Sequence, residues 1–576
     1  MPRRDRTDRS APSGGARSDG AGSSGIDWTL GAIAAAVDAR LNTWSDADAV
    51  SRIWRRDASF WPTTPPSAIA SGLGWLEAPM LRAERVAELG ELAREVRAEG
   101  FEHVVLLGMG GSSLAPQVIA RMLPHSSDGP DLTVLDSTHP SAVRACLERA
   151  PVDRSLYLVS SKSGTTLEPN VLFRFFWERA ASLSSPGRRF VAVTDAGTPL
   201  ERLAHDKRFR ACFLAPTDVV GRYSALTVFG LLPSALVGVD VEGLLRSARA
   251  MAERCAETAD PRANPGLCLG AALGELGRAG RDKLVFLPSP SLAPFPGWAE
   301  QLVSESTGKL DRGLVPVVAP QGDRELPAYP DVAYLRLGLD GEGDRALESQ
   351  LDARAGGGTP VLRFRWRSPL ELGGEFFRWE FAIATAASIL EVNPFDQPDV
   401  ERAKELAREA MEHPAPAGRE PYGLQLREDA APALERWLSR ARPGDYVAVQ
   451  AFLAPTEGTD TALRHLASAL AARLGTVVTV GYGPRFLHST GQLHKGGPRS
   501  GLFLQIVDEP SDDLQVPDLH RSFGGILRAQ ARGDRDALEE RDRRLLVVNT
   551  GPRPLERLQL LVDLLRRGPG TPAARS

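Results

Sequence analysis

Four cysteines in 576 residues (Cys146, Cys212, Cys255 and Cys268) form no C-x-x-C pair and show no metal-ligand spacing. That argues against a disulfide scaffold or a zinc ribbon and for reduced core thiols in a cytoplasmic protein. An excess of one charge is also missing. Lys and Arg number 69 against 73 Asp and Glu, a net charge of −4, so there is no basic footprint for nucleic acid or an anionic membrane. The longest apolar stretch, "SALTVFGLLPSALVGV" at 224–239, contains a proline and falls short of a membrane span. Residues 1–25 are Arg, Ser, Gly and Asp without the apolar centre of a signal peptide, and read as a disordered tail. Histidine is absent between His205 and His413.

What is present is the composition of an ordinary globular protein, 42% hydrophobic and 25% charged. Short apolar runs alternate with longer amphipathic stretches. "HVVLLGM" (103–109), "LTVLDS" (132–137), "SLYLVSS" (155–161), "FVAVTD" (190–195) and "ACFLAP" (211–216) form a first group of strands. A second group runs from "KLVFLPS" (283–289) to "RLLVVNT" (544–550). Strands alternating with helices predict parallel sheets in two successive α/β domains, residues 26–250 and 251–566. "PAPAGREPYG" (414–423) reads as a linker, and 567–576 as a loose tail.

"SSKSGTTLEPN" (160–170) follows the strand ending at Ser160 and precedes a helix whose first turn suits Glu168 and Pro169. A strand-to-helix loop carries free backbone N–H groups at the positive end of a helix dipole. Ser161, Lys162, Ser163, Thr165 and Thr166 add hydroxyl donors and a charge. One helix cap needs one hydroxyl, so this group predicts a phosphate site. "LLGMGGSSLAP" (106–116) has only part of a G-x-G-x-x-G, and no acidic residue is well placed for a ribose, so a dinucleotide fold is a weak reading. Gly110, Gly111 and Ser112 still allow a backbone to approach a ligand. "GRYSALT" (221–227) carries Arg222, and in "EQLVSESTGK" (300–309) Gln301 and Glu305 share one helix face. Glu305 lies among apolar and small neighbours, a setting in which a carboxylate can serve as a base. "NPFDQPDVERAK" (393–404) places Gln397 in a turn and Lys404 two helical turns later, where a solvated lysine is the ordinary outcome.

Taken together, "GMGGSS", "SKSGTT", "VGRYS", "ESTGK" and "NPFDQPDVE..K" resemble the phosphoglucose isomerase family, over roughly residues 70–410 and in family order. The wording around them is closest to the isomerase half of fused transaldolase–phosphoglucose isomerase proteins. No transaldolase barrel is expected here, since only the polar tail precedes. The resemblance implies an α/β fold of two sugar isomerase (SIS) domains, each a doubly wound, mainly parallel sheet flanked by helices. The second would carry a C-terminal extension. It implies interconversion of glucose 6-phosphate and fructose 6-phosphate through a cis-enediolate, with no cofactor and no metal. The partners implied are a sugar-phosphate substrate and a second subunit in a homodimer.

Residue by residue, the resemblance gives Glu305 as the base between C2 and C1 and Arg222 as the cation facing the enediolate. Lys404 would assist ring opening. Ser161, Ser163, Thr166, Thr165 and Lys162 would hold the phosphate. Gly111 and Ser112 would face the sugar, and Gln301 and Gln397 would orient hydroxyls and phosphate. The family's ring-opening histidine normally lies between the glutamate and "FDQ", where this chain has none. "FLHSTGQLHKGG" (486–497) offers a family-like His-x-x-x-Gln in His488 and Gln492, so His488 is expected in that role, with His494 the competitor. Two other readings share the fold: an isomerase that also accepts mannose 6-phosphate, and a non-catalytic sugar-phosphate sensor. The sensor would not need Glu305, Arg222 and Lys404 together.

Overall fold

The computed structural model describes residues 25–62, 69–126, 129–256, 260–318, 325–412 and 422–567. Nearly all of the expected tails, 1–25 and 567–576, and of the expected linker at 414–423 lie outside them. Three five-stranded sheets form the frame. The first contains β2 (His103–Leu107), β3 (Asp131–Leu135), β4 (Ser155–Ser160), β5 (Phe190–Asp195) and β6 (Ala211–Ala215), in the order β3-β2-β4-β5-β6. All its pairings are parallel. Every residue of β4 is buried, as expected for a strand covered on both faces by helices.

The second sheet is built from β7 (Lys283–Pro288), β8 (Val315–Val318), β9 (Val332–Leu339) and β10 (Val361–Trp366), with β1 (Ile26–Thr29) added antiparallel to β10. Residues 26–29, expected in the first domain, thus complete the second sheet. The third sheet has the order β11-β17-β14-β12-β13, from β11 (Leu424–Gln425), β12 (Tyr446–Phe452), β13 (Val478–Tyr482), β14 (Gly501–Val507) and β17 (Arg544–Asn549). A short antiparallel pair, β15 (Gln515–Val516) and β16 (Arg521–Ser522), lies between β14 and β17.

Residues 424–567, read from the sequence as an extension of the second domain, therefore form a sheet of their own. Their strands pair with one another, Tyr446 opposite Gly501 and Leu502 opposite Arg544, and none pairs with β7–β10. The three sheets share one winding pattern. Leaving aside the edge strands β1 and β11, the first strand of each is flanked by the second on one side and by the third and then the fourth on the other. The boundary expected near residue 250 falls within the helix Val241–Ala256.

Shared apolar cores hold these layers together. One apolar core runs continuously from the first sheet to the second. Its centre is the helix Leu372–Ile389, packed against the helix Pro265–Arg278. Gly266, Gly270 and Gly274, spaced four apart, meet Phe381, Thr385 and Ile389, and a Cβ on Gly270 would lie 2.0 Å from Thr385 Oγ1. The close crossing needs that glycine stripe. A second core joins Val285 and Tyr334 to Tyr446 and Phe503 and seats the third sheet on the second.

The helix Phe295–Thr307 shows how packing supports a site. Phe295, Trp298 and Leu302 face Phe376 and Trp366, with Trp298 and Phe376 ring centres 4.6 Å apart. Each such side chain contributes roughly 1.5–3 kcal/mol on burial. That offsets the cost, about 1–3 kcal/mol per group, of burying Gln301 and Glu305 along the adjoining side of the helix. Among the described residues no helix is long and apolar enough to cross a membrane.

Candidate active site

The loop after β4 is stiffened by its own hydroxyls. Ser161 and Thr166 share a hydrogen bond of 2.9 Å between their side-chain oxygens, as do Ser163 and Thr165. Thr166 is the N-cap of the helix Leu167–Ala180, yet its hydroxyl does not cap that helix, so the first-turn N–H groups keep their pull on an anion. Lys162 is tied down as well. Its ammonium pairs with Asp195 and reaches the Thr217 carbonyl at 3.3 Å, pinning the loop to the end of β5.

The glycine loop after β2 is a meeting point. Gly110 has φ +54°, and a Cβ there would lie 2.6 Å from the His488 carbonyl oxygen and 2.8 Å from Gln301 Nε2. Gly111 backs onto the Gly221 carbonyl, where a Cβ would approach to 2.0 Å. It therefore brings the Arg222 turn close. Ser112 is half-buried beside it.

Arg222 is buried, with 1% of its surface exposed. It donates from Nη1 to Gln397 Oε1 (2.8 Å), from Nε to Ser306 Oγ (3.0 Å) and from Nη2 to the Asp396 carbonyl (2.9 Å). Nη1 also lies 3.6 Å from Glu305 Oε2. Glu305 Oε2 accepts from Gln301 Nε2 at 3.1 Å, and the same amide nitrogen donates to the His488 carbonyl at 2.9 Å. Gln301 Oε1 is buried without a protein partner. Behind Arg222, burial and the neighbouring guanidinium push the Lys309 ammonium down to about 7, although Asp396 and Glu305 oppose the shift.

The histidine segment arrives from the third sheet, beyond β13, and His488 Nε2 lies 2.9 Å from Glu168 Oε1. Glu168 also accepts from Gln530 Nε2 at 2.6 Å, and Gln530 Oε1 accepts from Thr138 Oγ1 at 2.9 Å. Burial alone would raise the Glu168 carboxyl, but His488 outweighs it, with help from Lys404, and holds the group below the usual carboxylate range. The sign follows: a depressed carboxylate contributes stability above its unfolded value, about 4.3, and loses it only as pH falls through the lower folded value. The Glu168 carboxylate is thus ionised throughout the neutral range.

His494 is placed differently. It is buried between Phe486 and Phe503, within 3.0 Å of Gln450 through Nδ1, and burial first, then Lys495 and Arg543, pushes its pKa well down. It is a neutral core residue. Lys404, on the helix Pro398–Glu412, is partly exposed and pairs with Glu401 at 2.8 Å. Sequence reasoning missed Glu168 as a partner of His488, because its position in a helix's first turn explains it adequately. Gln530 carried no signal at all, being 362 residues from Glu168. Among the described residues no group of His, Cys, Asp and Glu is arranged to hold a metal ion.

Known proteins resemble this chain in sequence and in fold. Residues 89–315 match the family model described as phosphoglucose isomerase. A glucose-6-phosphate isomerase of Heliobacterium modesticaldum is 32% identical over 387 residues, covering 58% of this chain and 85% of that protein. One from Methanocaldococcus jannaschii is 27% identical over 346 residues, covering 53% and 84%. Among solved structures, a hypothetical protein from Thermus thermophilus has a TM-score of 0.58 at 25% identity, covering 67% of this chain and 99% of its own. A glucose-6-phosphate isomerase from Chlamydia trachomatis, with a TM-score of 0.56 at 19% identity over 72% and 92%, shares the fold.

Proposed function

Because the chain belongs to the phosphoglucose isomerase family, we propose that it interconverts glucose 6-phosphate and fructose 6-phosphate through a cis-enediolate, in the cytoplasm. The observation that carries this reading is the convergence of Glu305, Arg222 and Gln301 with the His488–Glu168 pair around Gly110. A sensor needs the phosphate loop alone. An aldose–ketose isomerase needs all of these groups.

The closed sugar opens first. His488 donates a proton to the ring oxygen as the C1–O5 bond breaks, and the C1 hydroxyl passes its proton to solvent water to form the aldehyde. The Glu168 carboxylate beside Nε2 stabilises the imidazolium that performs this step. Glu305 then removes the C2 proton, and the charge that develops on the enediolate oxygens faces Arg222, a fixed cation. The same carboxyl returns the proton at C1. Oxidation at C2 balances reduction at C1 within one molecule, so the reaction draws on no outside electron carrier. Gln301 Oε1 is an acceptor for a sugar hydroxyl. A coupled assay with fructose 6-phosphate and mannose 6-phosphate side by side tests the reading. Turnover of neither would end it, and equal turnover of both would favour the broader specificity.

The phosphate loop should appear in the Michaelis constant. Changing Ser161 and Thr166 together to alanine should raise KM about ten-fold or more with a smaller fall in kcat, because phosphate contacts exist in ground and transition states alike. Steady-state kinetics with an unchanged KM would count against this loop.

Within a single chain His488 already lies beside Glu168. Specific activity should therefore stay constant when the enzyme is diluted through any dissociation of the expected homodimer, followed by sedimentation at matched concentrations. A steep loss on dilution would mean that a partner subunit supplies part of the site.

A further inference from the structure

Gln492 is fully buried, and its amide makes four hydrogen bonds to elements that carry site residues. Nε2 donates to the carbonyl of Gly308 (3.0 Å), the C-cap of the Glu305 helix, and to Asp399 Oδ2 (2.7 Å). Oε1 accepts from the backbone N–H groups of Asp399 (3.0 Å) and Val400 (3.3 Å), in the first turn of the Lys404 helix. First-turn N–H groups have no partner within their own helix, so Gln492 caps this one from a distant part of the chain. Gln492 itself lies four residues beyond His488, in the short helix Gly491–Gly496. The packing leaves no slack. A Cβ on Gly496 would lie 2.3 Å from Asp399 Oδ2 and 2.7 Å from Gln492 Nε2, and Arg541 clamps Asp399 from the other side.

We propose that Gln492 is a positioning residue that sets the register of Glu305, Lys404 and His488 relative to one another, and so acts on turnover and not on substrate binding. This rests on the isomerase reading above. The task requires an amide, because the same side chain must donate at one end and accept at the other. An ionised carboxyl accepts but cannot donate, and it would face the Asp399 carboxylate. A leucine does neither. Displacement of reacting groups by about 1 Å costs on the order of 100-fold in rate.

The test compares the full-length wild type with Gln492→Glu and Gln492→Leu. Burial and the like charge of Asp399 raise the pKa of the introduced carboxyl. Near pH 6 it carries a proton and can make one of the two donations the amide makes. The Gln492→Glu variant should then keep kcat within about three-fold of wild type near pH 6 and fall to about one-hundredth near pH 8.5, with KM little changed. Gln492→Leu should be low at every pH. Amide exchange at Asp399 and Val400 should be at least about ten-fold faster in Gln492→Leu, as expected when a cap is removed. A flat ratio of variant to wild type across pH, KM moving in step with kcat, or unchanged exchange at Asp399 and Val400 would overturn the proposal. Exchange does not depend on turnover. An inactive wild type would therefore refute the isomerase reading, while the exchange result would still decide whether Gln492 ties the elements together.

Discussion

Glu305→Gln should leave the protein folded and able to bind fructose 6-phosphate while lowering kcat by about a thousand-fold or more. A positioned acid–base group contributes about 10²–10⁴ in rate, and this one performs the obligatory proton transfer in both directions. The substitution is close to a pure change of basicity. An amide oxygen can still accept the 3.1 Å hydrogen bond from Gln301 Nε2. Arg222 loses a carboxylate neighbour at 3.6 Å but keeps its bonds to Gln397, Ser306 and the carbonyls of Pro394 and Asp396. KM should therefore move by only a few-fold. Exchange of the C2 hydrogen with solvent, followed by mass spectrometry, should fall together with turnover, since both need the same proton abstraction. Near-wild-type turnover, or lost turnover with exchange intact, would remove Glu305 from the role of base.

The loops around this glutamate were the most legible part of the sequence, and for a physical reason. Each is a local structure: a strand ending, a few residues with unusual donors or no side chain, and a helix beginning. "SKSGTT" and "GMGGSS" announce themselves because several hydroxyls or glycines in a row exceed what one cap or one turn requires. Strand pairing was not legible in the same way. The run "YVAVQAF" states that a buried strand exists at Tyr446–Phe452. Nothing in it says that its neighbours are Val478–Tyr482 and Gly501–Val507 and not β7 or β8. Partner choice is settled by which apolar faces can be covered together, and that depends on helices far away in the chain. The pairing of β1 with β10, joining Ile26 to Phe364, was hidden for the same reason. Lys162 shows a third limit. Its place in the loop suggested a phosphate contact, and nothing in the loop announces the ion pair with Asp195, 33 residues on.

His488→Ala should separate ring opening from isomerisation. On closed-ring glucose 6-phosphate the variant should lose about 10²–10³ in kcat/KM, the range of a general acid. Hydrogen exchange from an open-chain analogue, which needs Glu305 and Arg222 alone, should fall much less. Glu168→Gln supplies the matching half of the test. Its amide can still fill the space and accept from Gln530, but it no longer offers a charge to the imidazolium across the 2.9 Å contact. It should lower ring opening by about ten- to a hundred-fold, and the double variant should be scarcely worse than His488→Ala, because Glu168 acts through the histidine. His494→Ala makes the control. It removes a ring packed between Phe486 and Phe503, so it should cost about 2 kcal/mol of stability and hurt both substrates alike. If His488→Ala lost open-chain exchange as badly as closed-ring turnover, the imidazole's contact with Glu168 would serve to seat the segment against Gln301, and the proton donor would have to be sought elsewhere. If Glu168→Gln and His488→Ala added fully, the two would act independently, and the carboxylate's part in forming the imidazolium would be wrong.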